Sequence, residues 1–357
     1  MSANPSPQQN FKRQLDARLT SFLSDQRHAV AAISRDAAPL VDAIADLTRG
    51  GKRLRPLFAF WGAAAAGGVE REEELATLGA ALELFQAAAL IHDDIIDHSD
   101  TRRGRPSVHR AFEATHRDGE WDLDPASFGE ASAILAGDLA LSMSEQLFAA
   151  ASPTASARRL FDAMRLQVMA GQYLDVLEEQ IGSRRDPHDA AAAAGTVVRY
   201  KSAKYSVENP VLLGAAQAGA SEDELTALST FALPLGEAFQ LRDDELGVFG
   251  DPATTGKPAG DDLREGKRTL LVALTLKAAT PEQAAEVNSA LGNSELSDAD
   301  VERLRSIMRE TGALDALETT IESLTAQAFS ALDALDVNEA ARDGLRSAGL
   351  AAVRRVA

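Results

Sequence analysis

Apolar residues recur three and four positions apart along much of the chain. A clear example is the set Leu75, Leu78, Leu82, Phe85 and Ala89. This spacing places apolar side chains on one face of an α-helix. Alternating runs rich in Val, Ile and Thr, which would predict strands, are missing from the sequence. The pattern therefore predicts an all-α protein.

Clusters of Gly, Pro, Asp and Ser interrupt this pattern and predict loops. The polar, proline-containing residues 1–10 predict a disordered tail, and residues 11–357 a single all-α domain. Further loops are predicted at 99–106, 117–129, 182–189 and 250–267, with later breaks at Pro281 and 292–298. The loop at 250–267 is long, and such loops in compact domains are often functional. The acidic loop 117–129 resembles an insertion and has no functional interpretation.

Composition narrows the class of protein. The chain has 357 residues, a formal net charge of -18 and no cysteine, which excludes disulfides and thiolate metal sites. The acidic balance argues against nucleic acid as a partner, because a phosphate backbone requires a basic face. No signal peptide is visible, and the longest apolar stretch, 57–69, is too short to span a bilayer. We therefore expect a cytoplasmic protein without stable membrane insertion.

A first aspartate cluster, Asp93, Asp94 and Asp97, closes an apolar helical run. Asp93 and Asp97 are four residues apart, so their carboxylates share one helix face and repel each other. They also lie near the helix C-terminus, where the macrodipole disfavours anions, so a cation should offset them. Oxygen ligands of this kind suit Mg²⁺. The alternative, a solvated acidic helix end, is weakened by the apolar run 84–91 before the cluster.

A second aspartate cluster, Asp243 and Asp244, follows another apolar run. Gln240 is three residues before Asp243 and shares its helix face. Facing helices of a bundle can build a metal site together, so this cluster could bind another Mg²⁺ on the opposite wall of one cavity. A surface acidic patch is the alternative.

Basic residues accompany both acidic clusters. Lysine and arginine are the usual ligands of phosphate oxygens. Each of these residues alone could be an ordinary surface charge, but as a set in an acidic chain they indicate a polyanion bridged by metal. The set comprises Lys52, Arg53, Arg55, Arg102, Arg103, Lys201, Lys204, Lys257 and Lys267.

Seven motifs in a fixed order resemble the trans-isoprenyl diphosphate synthases of the polyprenyl synthetase family, and geranylgeranyl diphosphate synthases among them. The motifs are GGKRLRP, DDIID, TRRGRP, GQYLD, KSAKY, FQLRDD and GKPAGDDLREGK. The resemblance implies one large helical bundle around a deep central cavity, usually as a homodimer. It also implies Mg²⁺-dependent condensation of isopentenyl diphosphate with an allylic diphosphate, with three Mg²⁺ ions in each active site.

The resemblance also assigns roles by motif position. Isopentenyl diphosphate is expected at Lys52, Arg55, Gln86 and Arg103. Mg²⁺ is expected at Asp93, Asp97 and Asp243, with Asp94 and Asp244 in support. The allylic diphosphate is expected at Arg102, Lys201, Gln240 and Lys257. Gln172 and Ser202 should lie near the reacting carbons, and Lys267 should add positive charge when the late loop closes. The catalytic set is then Asp93, Asp97, Arg102, Lys201 and Asp243.

One position departs from the family pattern, and three others bear on product length. Gly247 stands where the commoner family motif has a third aspartate, which leaves the ligand number of that metal open. The small residues Ala88 and Ala89 precede Asp93, where makers of the C15 product usually have an aromatic residue. Phe85, eight residues before Asp93, lies about 12 Å further down the helix and could form the floor of the cavity. The expected product is geranylgeranyl diphosphate, C20.

Other functions stay open at this level. A C15 synthase, or one making C25 and longer products, shares the same motifs. A class I terpene cyclase shares the first aspartate motif, but it has no need of the second diphosphate site that Lys52, Arg55 and Arg103 indicate. A non-catalytic partner subunit tends to lose its aspartates, and these are present here. A helical scaffold has no reason to pair acidic and basic motifs.

Overall fold

The computed structural model describes residues 6–68, 71–251 and 260–354. Helices make up nearly all of the ordered elements, which confirms the all-α prediction. The helices are α1 Pro7–Ile33, α2 Ala38–Thr48, α3 Leu54–Ala65, α4 Glu72–Ile96, α5 Val108–Asp118, α6 Pro125–Ala150, α7 Ala155–Ile181, α8 Pro187–Val197, α9 Asn209–Gln217, α10 Glu222–Phe249, α11 Asp261–Glu265, α12 Leu270–Ala278, α13 Pro281–Ala290, α14 Asp298–Glu310, α15 Ala313–Ala334 and α16 Glu339–Val353.

Shorter elements join these helices. Two 3-10 turns cover Arg35–Ala37 and Gly182–Arg184, and a π-helix, Val198–Glu208, links α8 to α9 without a break. The predicted loop 99–106 contains a small antiparallel pair, β1 Thr101–Arg102 with β2 Arg105–Pro106. This hairpin holds Arg103 at a fixed distance from the end of α4.

Helix α4 lies in the middle of the bundle. It packs against α1, α3 and α6, while α10 packs against the π-helix and α15. One buried apolar cluster extends from Phe11 to Val353, and the single domain over 11–357 stays a prediction. Among the described residues α4 alone is long and apolar enough to cross a membrane, but 72% of its most apolar window is buried inside the fold.

The N-terminal prediction is wrong in part, because α1 already begins at Pro7. Ser6 and Gln9 form a capping box, in which each side chain accepts a hydrogen bond from the other residue's backbone N–H. Pro7 occupies the first turn, where its missing N–H has no cost. Local capping therefore outweighs the polar composition that suggests disorder.

Several predicted loops are shorter than expected. The loop 117–129 shrinks to 119–124, because Asp124 caps α6 by accepting a hydrogen bond from the Ser127 N–H at 2.8 Å. Helix α8 begins inside the predicted loop 182–189, and α11 lies inside 250–267. Residues 252–259, which include Lys257, lie outside the described residues.

Two glycines allow α3 and α9 to pack at backbone distance. A Cβ at Gly62 would lie 2.1 Å from the Val211 carbonyl oxygen, and a Cβ at Gly214 would lie 1.7 Å from that of Ala59. No side chain fits at such distances, so the helices would have to separate. This contact fixes α3, which begins inside the basic motif GGKRLRP.

We predict that Gly214→Ala lowers the free energy of unfolding by about 1–3 kcal/mol, because the added methyl forces α3 and α9 apart. The shift in the midpoint of urea unfolding measures this loss of stability. Gly195→Ala in α8 is the control, since a Cβ there meets nothing within 4 Å and alanine favours a helix by up to about 1 kcal/mol. Equal losses in both variants would contradict the close-packing explanation.

Candidate active site

A cavity of about 720 Å³ opens between α4, α7, α10, the π-helix and the segment that follows α11. Nearly all of the residues singled out from the sequence line it. Those residues are Lys52, Arg55, Gln86, Ala89, Asp93, Asp97, Arg102, Arg103, Gln172, Lys201, Ser202, Gln240, Asp243, Asp244, Gly247 and Lys267. Phe85 and Ala88 lie behind the wall and are completely buried.

The last turn of α4 presents Asp93 and Asp97 to the cavity. The Gln172 side-chain amide donates to Asp93 Oδ1 at 3.1 Å, and the Lys267 ammonium donates to Asp97 Oδ1 at 2.7 Å. Burial, and then the charge of Asp93, raises the pKa of Asp97. The Lys267 ammonium is thus a cation within the chain that offsets the negative charge at this helix end, as expected from the sequence.

Asp94 points away from Asp97 and is fully buried. Its Oδ1 accepts hydrogen bonds from Arg102 Nε, at 2.8 Å, and from an Arg102 terminal nitrogen, which also lies 3.4 Å from Asp93 Oδ2. The Arg102 guanidinium is therefore held beside Asp93 at the cavity wall. Asp94 supports the site by orienting an arginine.

Two acidic residues on α7 complete this end of the cavity, and the sequence reasoning missed them. Asp175 Oδ2 accepts from the Lys201 ammonium at 2.5 Å and lies 3.5 Å from that of Lys267. Glu179 Oε1 accepts from Lys267 at 2.9 Å. Burial alone would lower the pKa of Lys267, but the charges of Asp175, Asp97 and Glu179 raise it. Helical spacing places Gln172, Asp175 and Glu179 on one face of α7, but it does not indicate their contacts with Lys201 and Lys267.

The second aspartate cluster lies on α10. Asp244 is 8% exposed, and its Oδ1 accepts a hydrogen bond from the Gln240 side-chain amide at 2.7 Å. Burial raises the pKa of Asp244 to about 8, and the charges of Asp262 and Asp243 add to the effect. Several carboxylates thus share a poorly solvated space, which favours the arrival of a cation.

Gly247 stands where the commoner motif has a third aspartate, and Asp262 takes up the space beside it. A Cβ at position 247 would lie 1.9 Å from Asp262 Oδ2, so a side chain there would have to displace this carboxylate. Asp262, in the first turn of α11, also lines the cavity. A carboxylate from a different element therefore fills the place that a side chain at 247 would occupy.

The basic end of the cavity is built around Arg55 and Tyr205. A terminal nitrogen of Arg55 donates to Ser206 Oγ at 2.7 Å, and the guanidinium lies 4.3 Å above the Tyr205 ring. The Tyr205 hydroxyl in turn donates to Gln86 Oε1 at 2.6 Å. Arg103 donates to the Leu47 carbonyl at 3.1 Å. Together with Lys52 these groups form a cationic pocket for a second anion.

The π-helix supplies one wall of the cavity. It aligns Lys201, Ser202, Tyr205 and Ser206 along the cavity, and π-helical turns frequently mark functional sites. Gly171 lets it pack tightly on α7, because a Cβ there would lie 2.4 Å from the Lys201 backbone nitrogen. This contact fixes Lys201 between Asp93 and Asp175.

The residues present fit Mg²⁺. In the described parts of the chain no group of three or more acidic or histidine side chains forms a complete metal cage. Mg²⁺ does not need one, since it binds one or two carboxylates and takes its other ligands from water and phosphate. Asp93, Asp97 and Asp243 offer such carboxylates around one cavity that also carries cations for phosphate.

Comparison with known proteins agrees with this geometry. A geranylgeranyl pyrophosphate synthase from Corynebacterium glutamicum, solved with isoprenyl diphosphate and magnesium, is 41% identical, with a TM-score of 0.91 over 97% of this chain and 99% of its own. A geranylfarnesyl diphosphate synthase from Aeropyrum pernix is 34% identical over 76% of this chain and 79% of its own length.

A geranylgeranyl diphosphate synthase from Sulfolobus acidocaldarius is 34% identical over 74% of this chain and 75% of its own length. The family model described as Polyprenyl synthetase matches residues 38–308, which is more than half of the chain. The cavity, its two aspartate clusters and these similarities lead to one assignment. The chain belongs to the polyprenyl synthetase family and is a prenyl diphosphate synthase, a transferase.

Proposed function

We propose that the protein is a Mg²⁺-dependent synthase that condenses isopentenyl diphosphate with an allylic diphosphate and releases geranylgeranyl diphosphate. One observation carries the proposal: a single cavity has an acidic end at Asp93, Asp97 and Asp243 and a cationic end at Lys52, Arg55 and Arg103. The acidic end suits a diphosphate bound through metal, and the cationic end suits a diphosphate bound directly.

The reaction begins with the allylic diphosphate at the acidic end. Mg²⁺, three ions by analogy with the family, would neutralise the departing diphosphate when bound. Lys201, Lys267 and Arg102 add fixed positive charge close to the same oxygens. The allylic C1–O bond then breaks, and the electron pair leaves with the diphosphate.

The apolar wall protects the resulting allylic cation. Ala89, Leu90, Val168 and Phe239 line the cavity and offer no nucleophile, so this part of the wall does not capture the cation. The isopentenyl double bond, positioned by Lys52, Arg55 and Arg103, attacks C1 and forms the new C–C bond. The released diphosphate takes the proton that the product must lose.

The rival activity is that of a class I terpene cyclase. The cationic pocket argues against it, because a cyclase has only one diphosphate to bind. Incubation with geranylgeranyl diphosphate alone separates the two activities, since a cyclase would release a hydrocarbon.

We predict turnover of isopentenyl diphosphate with at least one of the primers dimethylallyl, geranyl and farnesyl diphosphate, and only with Mg²⁺. Asp93→Ala should lower kcat by about 10²–10³-fold, because it removes charge stabilisation of the leaving group. Product chromatography with labelled isopentenyl diphosphate measures both.

The control is Asp42→Ala, which removes an exposed carboxylate paired with Arg27 far from the cavity. Its turnover should equal that of the wild type. No wild-type product with any primer would refute the synthase proposal.

The proposal of a C20 product is based on the apolar wall of the cavity. Ala89 lines the wall and leaves room for a growing tail. Behind it Phe85 is 0% exposed and meets the Tyr205 ring edge-on at 5.5 Å. Phe161 backs Phe85 at 6.4 Å and stacks on Phe148 at 3.9 Å. Phe85, Phe161 and Phe148 thus form aromatic layers behind the wall, and in this proposal they limit the length of the tail.

We predict that Phe85→Ala lengthens the product beyond C20, because it removes the upper layer of the floor. Phe85→Ala combined with Phe161→Ala should lengthen it further. Products are sized by chromatography after dephosphorylation. Phe231→Ala, at a residue equally buried on α10, should leave product length unchanged. An unchanged product from Phe85→Ala would remove Phe85 as the floor.

We also propose a homodimer that works in the cytoplasm. Large apolar side chains are exposed on α6 and α7, as expected for a face that a second copy covers. They are Ile134, Leu135, Leu166, Met169 and Tyr173, of which Leu166 is 72% exposed.

Light scattering should give twice the chain mass for the wild type. Leu166→Glu should shift the protein toward monomer, because it buries a charge in the interface. Ile33→Glu is the control, since Ile33 is 86% exposed at the end of α1. A monomeric wild type would contradict the dimer proposal.

A further inference from the structure

An ion-pair cluster centred on the buried Arg53 lies beside the cationic end of the cavity, outside its lining. We name Asp16, Arg53 and Glu83 the clamp. Arg53 donates through one terminal nitrogen to Glu83 Oε2 at 2.5 Å, and through Nε and the other terminal nitrogen to Asp16 Oδ1 at 3.0 and 2.8 Å. Asp16 lies on α1 and Glu83 on α4, so the clamp joins both helices to the turn before α3.

Arg53 belongs to the same basic turn as Lys52 and Arg55, but it plays a different part. Its side chain is only 6% exposed, and its guanidinium is already engaged by two carboxylates. Lys52 and Arg55, by contrast, line the cavity. A cation neutralised in this way is poorly placed to bind a diphosphate, so its role lies elsewhere.

The backbone of Arg53 is strained. Its φ of 54° is in the left-handed region, where a residue with a side chain is held only by its surroundings. The residue also precedes the first turn of α3 without a side-chain cap. Because Lys52 comes immediately before it and Arg55 two residues after it, this backbone conformation determines the direction of both cavity-lining cations.

Glu83 links the clamp to Arg103 as well. The Arg103 guanidinium lies over Gly51, where a Cβ would be 3.6 Å from one of its nitrogens. Burial lowers the pKa of Arg103, and the charge of Glu83 opposes this effect. Glu83 also lies three residues before Gln86 on α4. One carboxylate thus faces both arginines that flank the basic turn.

We propose that Arg53, held by Glu83 and Asp16, is a positioning residue for the isopentenyl diphosphate pocket. It sets Lys52, Arg55 and Arg103 in place relative to α4 without touching the substrate. The proposal rests on the function proposed above, in which these three cations bind isopentenyl diphosphate. A merely structural ion pair would affect both substrates equally, whereas the clamp affects one of them.

Glu83→Gln tests this most directly, because it keeps the shape of the side chain and removes its charge. We expect KM for isopentenyl diphosphate to rise about tenfold, which corresponds to about 1.4 kcal/mol. KM for the allylic primer and kcat should stay within about threefold of the wild type. Steady-state kinetics with each substrate varied in turn gives the three values, and thermal unfolding reports stability.

Glu113→Gln is the matched control. Glu113 is also buried and paired with two arginines, Arg110 and Arg117, but it lies on α5 outside the cavity lining. It should change neither KM, whatever it does to thermal stability. A rise in KM for isopentenyl diphosphate in this control as well would show that any buried ion pair has the same effect and would overturn the proposal.

Asp16→Asn gives a second, milder test, because the Asp16 side chain is 55% exposed and its loss is tolerated more easily. Its expected effect has the same direction and a smaller size. The clamp proposal is overturned if Glu83→Gln folds and its KM for isopentenyl diphosphate is unchanged. If Glu83→Gln does not fold, the same result with a folded Asp16→Asn overturns it. Failure of the proposed function looks different, because the wild type itself would then not use isopentenyl diphosphate.

Discussion

The arrangement of this molecule depends on balancing carboxylates that are crowded into a poorly solvated cavity. Asp93, Asp97 and Asp175 face one another from α4 and α7, and burial raises the electrostatic cost of each charge. Lys201 and Lys267 neutralise them in the isolated chain, at distances of 2.5–3.5 Å. The ammonium groups occupy the kind of position that suits a divalent cation. When metal and diphosphate bind, the carboxylates can therefore exchange an ammonium partner for a metal ion, and the ammonium groups can turn to the diphosphate.

The cavity has an acidic end and a cationic end, as the binding of two different substrates requires. Carboxylates gather where α4, α7 and α10 approach each other, and cations gather where the turn before α3 meets the hairpin after α4. Helix α4 connects the two ends, since it carries Glu83 and Gln86 near one and Asp93 and Asp97 near the other. In the proposed function, Ala89 in its apolar middle lines the path of the growing tail, with Ala88 and Phe85 behind the wall. One helix thus relates substrate positions to product length.

Local patterns in the sequence were enough for the fold class, and the resemblance of its motifs to a known family supplied most of the residues that line the cavity. Helical spacing indicates that Asp93 and Asp97 share a helix face. The order of the motifs, through the family resemblance, predicts that the two aspartate clusters line one cavity. The contacts of Asp175 and Glu179 with Lys267 join α7 to a segment 88–92 residues later, and no local pattern reveals them. The roles of Asp262 and Arg53 also cannot be recognised from a local sequence pattern. The role of Asp262 depends on the space left by Gly247, and the role of Arg53 depends on its burial between α1 and α4.

The central claim is that one cavity binds two diphosphates by different means. Calorimetric titration of the wild type with isopentenyl diphosphate, and separately with a non-ionising thiolo analogue of the allylic diphosphate, tests it with Mg²⁺ and with EDTA. The account predicts that isopentenyl diphosphate binds equally well without metal, within about threefold, and that the allylic analogue loses about tenfold or more in affinity. Equal dependence of both ligands on Mg²⁺, or of neither, would contradict it.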